Sequence, residues 1–140
     1  MYIVTGGAGF IGSAFVWQLN NYGIEDILLV DDLGQTEKWK NMFNLGFREY
    51  LQKDVFLQML RKGEIPAPKA IIHMGACSST TEKDADYLME NNYRYSKILA
   101  QFALKHGSRF IHASSAATYG DGSKGFSDEE DSIPNLRPMN

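Results

Sequence analysis

The sequence has little cysteine and no long apolar run, and both absences exclude classes of protein. Cys77 is the single cysteine among 140 residues and cannot form an internal disulfide, which fits a reducing compartment. The apolar runs are a few residues long, against the roughly 20 needed to span a bilayer, and no basic segment precedes an apolar one at the N-terminus. We therefore predict neither a secretory signal nor a membrane anchor, and we expect a cytoplasmic protein.

An excess of positive charge is also missing. The formal net charge is −3, so we predict no nucleic-acid-binding surface of clustered lysine and arginine. Residues 1–120 contain 12 acidic and 12 basic side chains, whereas residues 121–140 contain five acidic and two basic ones. With 44% hydrophobic residues the composition is typical of a folded protein, and the length allows one compact unit.

Short apolar runs alternate with segments of helical periodicity. The predicted strands lie at 2–5, 27–30, 48–51, 70–73 and 109–113. The predicted helices lie at 11–22, at 54–62 with Asp54 as the N-cap, and at 84–106 with Gly107 after its end. We predict a loop that could contain a helical turn at 33–46, and only turns after residue 120.

The alternation of strand and helix predicts an α/β fold with a doubly wound parallel sheet. We expect the strand order 3-2-1-4-5. Right-handed crossovers then place the carboxyl ends of strands 1 and 4 side by side, at the switch point where such folds bind their ligands.

Three glycines follow the first predicted strand and open the first predicted helix. Gly6, Gly9 and Gly12 are spaced as G-x-x-G-x-x-G, and an acidic residue, Asp31, ends the second strand. Glycines here permit a tight turn, the approach of backbone amides to a pyrophosphate, and close packing of helix on sheet. The sequence therefore predicts a dinucleotide-binding site at this turn.

The choice between NAD and NADP stays open on the residues alone. A carboxylate at Asp31 commonly accepts hydrogen bonds from the ribose hydroxyls of NAD and repels a 2′-phosphate. However, Lys38 and Lys53 follow shortly after and could neutralise that phosphate, although each could equally be a solvated surface lysine.

Cys77 lies in a loop of small polar residues after the fourth predicted strand. A catalytic thiol needs a nearby base, and His73 on the preceding strand is not aimed at it, so we interpret Cys77 as a small loop residue facing the cofactor. The three histidines and one cysteine have no zinc-binding spacing, and we predict no metal site.

The Tyr-x-x-x-Lys pattern at Tyr93 and Lys97 matches the acid/base pair of many hydride-transferring enzymes. We reject it as catalytic, because it lies inside a predicted helix and precedes the serines Ser114 and Ser115 with which such a tyrosine works. We expect Tyr95 in the core. The hydroxyl of Ser115 can donate a hydrogen bond to a substrate oxygen during hydride transfer, and a turn cap is an equally open interpretation.

Residues 5–13, Asp31 and residues 113–120 together resemble the extended short-chain dehydrogenase/reductase family, the nucleotide-sugar epimerases and dehydratases. The resemblance covers nearly the whole chain and implies a Rossmann-type NAD(P)-binding fold, here incomplete. Residues 73–82 and 91–97 resemble more narrowly the branch of that family that epimerises ADP-heptose.

The narrower resemblance implies NADP as the cofactor, whereas Asp31 taken alone favours NAD. The implied contacts, besides the glycine turn, are Phe10, Ile11, Asp31, Asp32, Lys38, Lys53, Met74, Gly75, Ala76, Cys77, Ser78 and Asn91. The chain departs from that branch at Asp32, where Asn is frequent, and at Met74, where Glu is frequent. The second acidic residue weighs slightly against NADP.

The resemblance also implies a reaction. Oxidation and re-reduction at C6 would invert that carbon of ADP-D-glycero-D-manno-heptose, a precursor of the lipopolysaccharide core in Gram-negative bacteria. Ser115 would assist, and the acid/base tyrosine and lysine would lie beyond Asn140. We therefore interpret residues 1–120 as a dinucleotide-binding domain and 121–140 as an acidic loop leading to the missing part, so that this chain alone would be inactive.

Two alternatives remain. The chain could act on a UDP- or dTDP-sugar, as another epimerase or dehydratase, or it could be a non-catalytic NAD(P)-binding sensor. For the full-length enzyme we expect a homo-oligomer that binds ADP-heptose.

Overall fold

The computed structural model describes residues 1–138, and these form one parallel five-stranded sheet. The strands are β1 (Tyr2–Thr5), β2 (Ile27–Asp31), β3 (Glu49–Gln52), β4 (Ala70–His73) and β5 (Arg109–His112). Their order is β3-β2-β1-β4-β5, and every neighbouring pair is parallel. The predicted strand order is confirmed, and the observed strand bounds differ from the predicted ones by one residue at β2, β3 and β5.

Helices connect the strands. They are α1 (Phe10–Asn21), α2 (Lys53–Lys62), α3 (Ala85–Leu88) and α4 (Tyr95–His106), with a π-helical segment (Met89–Arg94) between the last two and 3₁₀ helices at Glu37–Met42, Ala116–Tyr119 and Glu130–Asn135. The predicted uninterrupted helix 84–106 is therefore wrong in its middle, where the winding widens to a π-turn. Its ends are confirmed, since the Asp84 carboxylate accepts from the Tyr87 amide at 2.9 Å and Gly107 is left-handed, with φ 64°.

The predicted cap of α2 is wrong. The N-cap is Gln52, whose Oε1 accepts from the amides of Asp54 at 2.7 Å and Val55 at 3.3 Å. Because β3 runs directly into α2, the last strand residue is the one placed to cap, and Asp54 lies in the first turn, where its charge favours the helix dipole. The prediction of only turns after residue 120 is also wrong, because of the 3₁₀ helix Glu130–Asn135.

Two apolar clusters cover the two faces of the sheet. On one face Phe56 of α2 and Leu99 of α4 are fully buried against Ile3 and its neighbours. On the other face Val16 of α1 is buried against Leu29 and its neighbours. Full burial of such a side chain contributes roughly 1.5–3 kcal/mol, so the helices are firmly held. Because α1, α2 and α3 each follow a strand of the parallel sheet, their N-terminal ends lie at its carboxyl edge, where β1 and β4 end.

The amino edge of the sheet is closed by side-chain contacts. The Asn20 side chain donates to the carbonyls of Ile24 at 2.9 Å and Gly46 at 2.8 Å, and it accepts from the Gly46 amide at 2.8 Å. Asp26 pairs with the N-terminal amine at 2.8 Å and with Arg48 at 2.7 Å. Within the part of the chain described, no helix is long and apolar enough to cross a membrane.

Candidate functional site

The glycine turn leaves the first amides of α1 without side-chain partners. Gly9 is the N-cap and makes no side-chain hydrogen bond, and the first turn of the helix contains no acidic residue. Phe10 and Ile11 in that turn are 87% and 67% exposed, so they add nothing to the core. A helix N-terminus with free amides and no acidic residue in its first turn attracts an anion such as a pyrophosphate.

At two glycines of the turn, neighbouring backbone leaves no room for a side chain. Gly6 has φ +68°, and a Cβ there would lie 2.7 Å from the amide nitrogen of Gly75. A Cβ on Gly12 would overlap the carbonyl oxygen of Gly6. The turn after β1 thus packs backbone to backbone on the loop after β4, and these two segments form one surface. This cradle of bare backbone beside the amides of α1 fits a dinucleotide phosphate.

The Asp31 carboxylate holds this turn from inside. It is 8% exposed, and one oxygen accepts from the Ala8 amide at 2.8 Å. The other oxygen accepts from Lys38 Nζ at 2.6 Å and from the Asp32 amide at 2.7 Å. Lys38 is therefore paired, not a free surface lysine, and about a third of it remains exposed.

Asn41 is a residue that the sequence analysis missed. Its side-chain amide donates to the Ala8 carbonyl at 2.9 Å, so the Ala8 residue is held by Asn41 on one side and by Asp31 on the other. Asn41 lies in the 3₁₀ helix Glu37–Met42, a region of weak periodicity, and nothing in its local sequence indicates the contact.

Lys53 and Asn91 are brought together from distant parts of the chain. Lys53 begins α2, and its Nζ donates to the Asn91 side-chain oxygen at 2.8 Å. Asn91 lies in the π-helical segment and is buried. Both were predicted to contact the cofactor, and the structure places them as direct neighbours.

The loop 74–78 is held by a second missed residue, Asn92. Its side-chain oxygen accepts from the Cys77 amide at 2.8 Å, and its side-chain nitrogen donates to the Cys77 carbonyl at 3.0 Å. The Cys77 side chain is partly buried, and Tyr87 lies close to it. Burial raises the pKa of the Tyr87 phenol, and the proximity of Cys77 raises it further. The one sequence feature that could have indicated Asn92 is its position beside Asn91.

His73 is buried at the end of β4 and is fully committed to hydrogen bonds. Its Nδ1 lies 2.6 Å from the Thr5 hydroxyl and its Nε2 lies 2.7 Å from the Ser96 hydroxyl. Since the Ser96 hydroxyl donates to the Asn92 carbonyl at 2.6 Å, Nε2 carries the proton and Nδ1 accepts from Thr5. Burial, followed by the charge of His112, lowers the pKa of His73 to about 4, which keeps the ring neutral. With both nitrogens engaged, His73 does not serve Cys77 as a base.

The residues of the rejected Tyr-x-x-x-Lys pattern lie on the surface. Tyr93 and Lys97 are exposed, with Lys97 Nζ 5.8 Å from the centre of the Tyr93 ring. Tyr95 is 3% exposed, which confirms its placement in the core. Burial raises the pKa of Tyr95, and its hydroxyl is the one buried side-chain oxygen or nitrogen among residues 1–138 without a hydrogen-bond partner.

Ser115 lies just after β5 at the same carboxyl edge. Its hydroxyl oxygen accepts from the Ala117 amide at 3.2 Å and so caps the 3₁₀ helix Ala116–Tyr119. The side chain is exposed, so its proton remains available to a ligand. In the described residues no three His, Cys, Asp or Glu side chains are grouped so that they could hold a metal ion.

Comparison with known proteins assigns the family. The sequence pattern of the NAD dependent epimerase/dehydratase family matches residues 2–140. The chain belongs to this family. The parallel sheet, the glycine turn and the surface shared by the loops after β1 and β4 are therefore the NAD-dependent Rossmann-type fold of the family, in partial form.

Individual relatives show which enzymes of the family the chain resembles. The chain is 58% identical over 141 residues to the ADP-L-glycero-D-manno-heptose-6-epimerase of Nitratidesulfovibrio vulgaris, a match that covers 100% of this chain and 44% of that protein. The chain thus spans less than half the length of this curated relative. The crystal structure of the Helicobacter pylori ADP-L-glycero-D-manno-heptose-6-epimerase superimposes with a TM-score of 0.81 over 99% of this chain and 45% of that one, at 24% identity, which shows the shared fold.

A further solved structure contains a bound cofactor. The UDP-glucuronic acid 4-epimerase from Bacillus cereus in complex with NAD superimposes with a TM-score of 0.72 and 26% identity, over 91% of this chain and 44% of that one. The family assignment therefore supports a nicotinamide dinucleotide as ligand.

Proposed function

We propose that this chain is the cofactor-binding portion of an epimerase that converts ADP-D-glycero-D-manno-heptose to ADP-L-glycero-D-manno-heptose. The observation that carries the proposal is the 58% identity, along the whole chain, to a protein of that name. The geometry supports it, because the uncapped start of α1, the bare backbone of Gly6 and Gly75, and the Lys53–Asn91 pair lie at one edge of the sheet. The reaction serves lipopolysaccharide core synthesis in the cytoplasm, and the whole enzyme is a homo-oligomer.

For the cofactor we propose NADP, bound by the glycine turn, by the loop 74–78 and by Asp32, Lys38, Lys53 and Asn91. When bound, it supplies the acceptor and donor of a hydride. The chain supplies the anion site at α1 and two ammonium groups. Lys38 uses one donor on Asp31, which leaves it two further N–H donors for a 2′-phosphate. Because Lys38 offsets the charge of Asp31, the main effect of this carboxylate is to shape the glycine turn, and it repels a 2′-phosphate only weakly.

We propose Ser115 as the residue of this chain that donates to the substrate oxygen. Its hydroxyl is exposed at the end of β5. The oxygen accepts a hydrogen bond from the Ala117 amide, which leaves the hydroxyl proton free to donate. The tyrosine and lysine that would exchange the substrate proton belong to the part of the protein beyond Asn140.

A fluorescence titration of the chain with NADPH and NADH tests the cofactor proposal. We expect both to bind, with NADPH the tighter ligand. Failure to bind either would contradict the proposal, and a preference for NADH would restrict it to NAD.

An assay of the longer protein that contains this chain tests the substrate. We expect turnover of ADP-D-glycero-D-manno-heptose and none of UDP- or dTDP-sugars, while the 140-residue chain alone is inactive. Turnover of a UDP-sugar would support the alternative epimerase, and cofactor binding without any turnover would support a sensor.

A further inference from the structure

The backbone of the loop between Gly75 and Ser79 depends on one side chain. Among the described residues, the hydrogen bonds of the backbone at 76–78 are the two made by Asn92, which accepts from the Cys77 amide at 2.8 Å and donates to the Cys77 carbonyl at 3.0 Å. This pair of bonds fixes both the position and the rotation of the Cys77 peptide groups. Without it, the loop would be held only where it leaves β4.

Asn92 is itself tied to the sheet by a chain of buried hydrogen bonds. The Asn92 carbonyl accepts a hydrogen bond from the Ser96 hydroxyl, and the Ser96 oxygen accepts one from His73 Nε2. His73 Nδ1 accepts one from the Thr5 hydroxyl. The Thr5 oxygen in turn accepts from the Gly75 amide at 3.2 Å. The chain of contacts therefore returns to Gly75 of the loop 74–78, and it joins the ends of β1 and β4 to the π-helical segment.

We propose that Asn92 is a positioning residue for the dinucleotide cofactor, because it fixes the Cys77 backbone and so keeps the loop 74–78 in its binding conformation beside the glycine turn. The proposal rests on the proposed function, since the loop is a cofactor contact only if a dinucleotide binds. The Ser96–His73–Thr5 chain keeps Asn92 in register with Gly75 and the turn. Asn92 acts through the loop backbone and is not assigned a contact with the cofactor.

The test uses the Asn92→Ala variant with two readouts. Because Cys77 is the single cysteine of the sequence, the rate at which a maleimide labels its thiol reports on this loop alone. We expect labelling to be about tenfold faster and the Kd for NADPH about tenfold higher, the effect of losing one to two net hydrogen bonds. Addition of NADPH should slow labelling in the unmodified chain and much less in the variant.

A matched control exists at the opposite edge of the sheet. Asn20 holds Gly46 by the same two kinds of hydrogen bond, both of 2.8 Å. Asn20→Ala should lower the stability of the fold while leaving Cys77 labelling and the Kd for NADPH unchanged. Asn92→Asp keeps the acceptor for the Cys77 amide and loses the donor to its carbonyl, so it should give intermediate values, and it serves as the test variant if Asn92→Ala does not fold.

The outcomes separate the two proposals. If the unmodified chain binds neither NADPH nor NADH, the proposed function fails. If it binds and the Asn92 variants have unchanged Kd and labelling rate, or if Asn20→Ala raises the Kd equally, the positioning role is overturned.

Discussion

The two edges of the sheet use the same device for different ends. At the amino edge Asn20 holds both polar backbone groups of Gly46, and at the carboxyl edge Asn92 holds both of Cys77. At the amino edge α2 and α4 also end in the left-handed glycines Gly63 and Gly107. At the carboxyl edge α1 begins without a side-chain cap, although Gln52 caps α2 and Asp84 caps α3.

Among residues 1–138, the two edges differ in which polar groups lack a partner and which apolar side chains are exposed. The unpaired helix amides, the exposed Phe10 and Ile11, and the partnerless Tyr95 hydroxyl all belong to the carboxyl half of the molecule. At the amino edge, in contrast, the Asp26 carboxylate is paired with the N-terminal amine and with Arg48. We therefore expect Asn20 to contribute to stability, and Asn92 to shape the proposed binding surface.

The largest expected effect comes from Gly12→Ala. Because its Cβ would overlap the Gly6 carbonyl oxygen, the turn must shift, and we expect a loss of about 3 kcal/mol in the free energy of unfolding together with loss of NADPH binding. Urea unfolding and a fluorescence titration measure the two effects. At the amino edge Gly23 has φ +72°, and a Cβ there would meet no atom within 4 Å, so Gly23→Ala should cost only about 1 kcal/mol and retain binding. Equal losses of binding would contradict the comparison.

A comparable loss of stability should occur at low pH, because His73 becomes protonated there. Burial lowers its pKa to about 4, below the roughly 6.5 of an unfolded chain, so the unfolded state takes up the proton first. The contribution is therefore complete above about pH 6.5 and is lost as the pH falls towards 4, by on the order of 3 kcal/mol. Urea unfolding over this range measures it. The His73→Asn variant should lack this component, whereas Asn20→Ala should lose the same stability at every pH; an unchanged profile in His73→Asn would refute the assignment.

The smallest expected effect is on cofactor choice at Lys38. Lys38→Met removes the cation beside Asp31, so the affinity for NADPH should fall about tenfold and that for NADH less, as titrations with both cofactors would show. Lys62→Met, in the last turn of α2 near the amino edge, should change neither. Equal loss for the two cofactors would mean that Lys38 only shapes the glycine turn.

The sequence predicted what is encoded locally. The strand order followed from five short apolar runs and the handedness of crossovers, and the glycine turn and the left-handed Gly107 are each indicated by a few neighbouring residues. The missed elements depend on tertiary contacts or on where one element meets the next. Asn41 meets Ala8, Asn92 meets Cys77, and the Gln52 cap exists only because β3 runs into α2 without a loop. Residues with the same local sequence in another fold would have no such partners.

The contact between Gly6 and Gly75 has a consequence for the order in which the site is assembled. The glycine turn is complete within the first βαβ unit, yet the surface against which it closes belongs to the loop after β4. During synthesis the first half of the chain would therefore leave the ribosome before the segment that forms the other side of the site. Only when β4 pairs with β1 does the site exist, so a ligand bound there would stabilise the pairing of the two central strands as directly as it stabilises the turn.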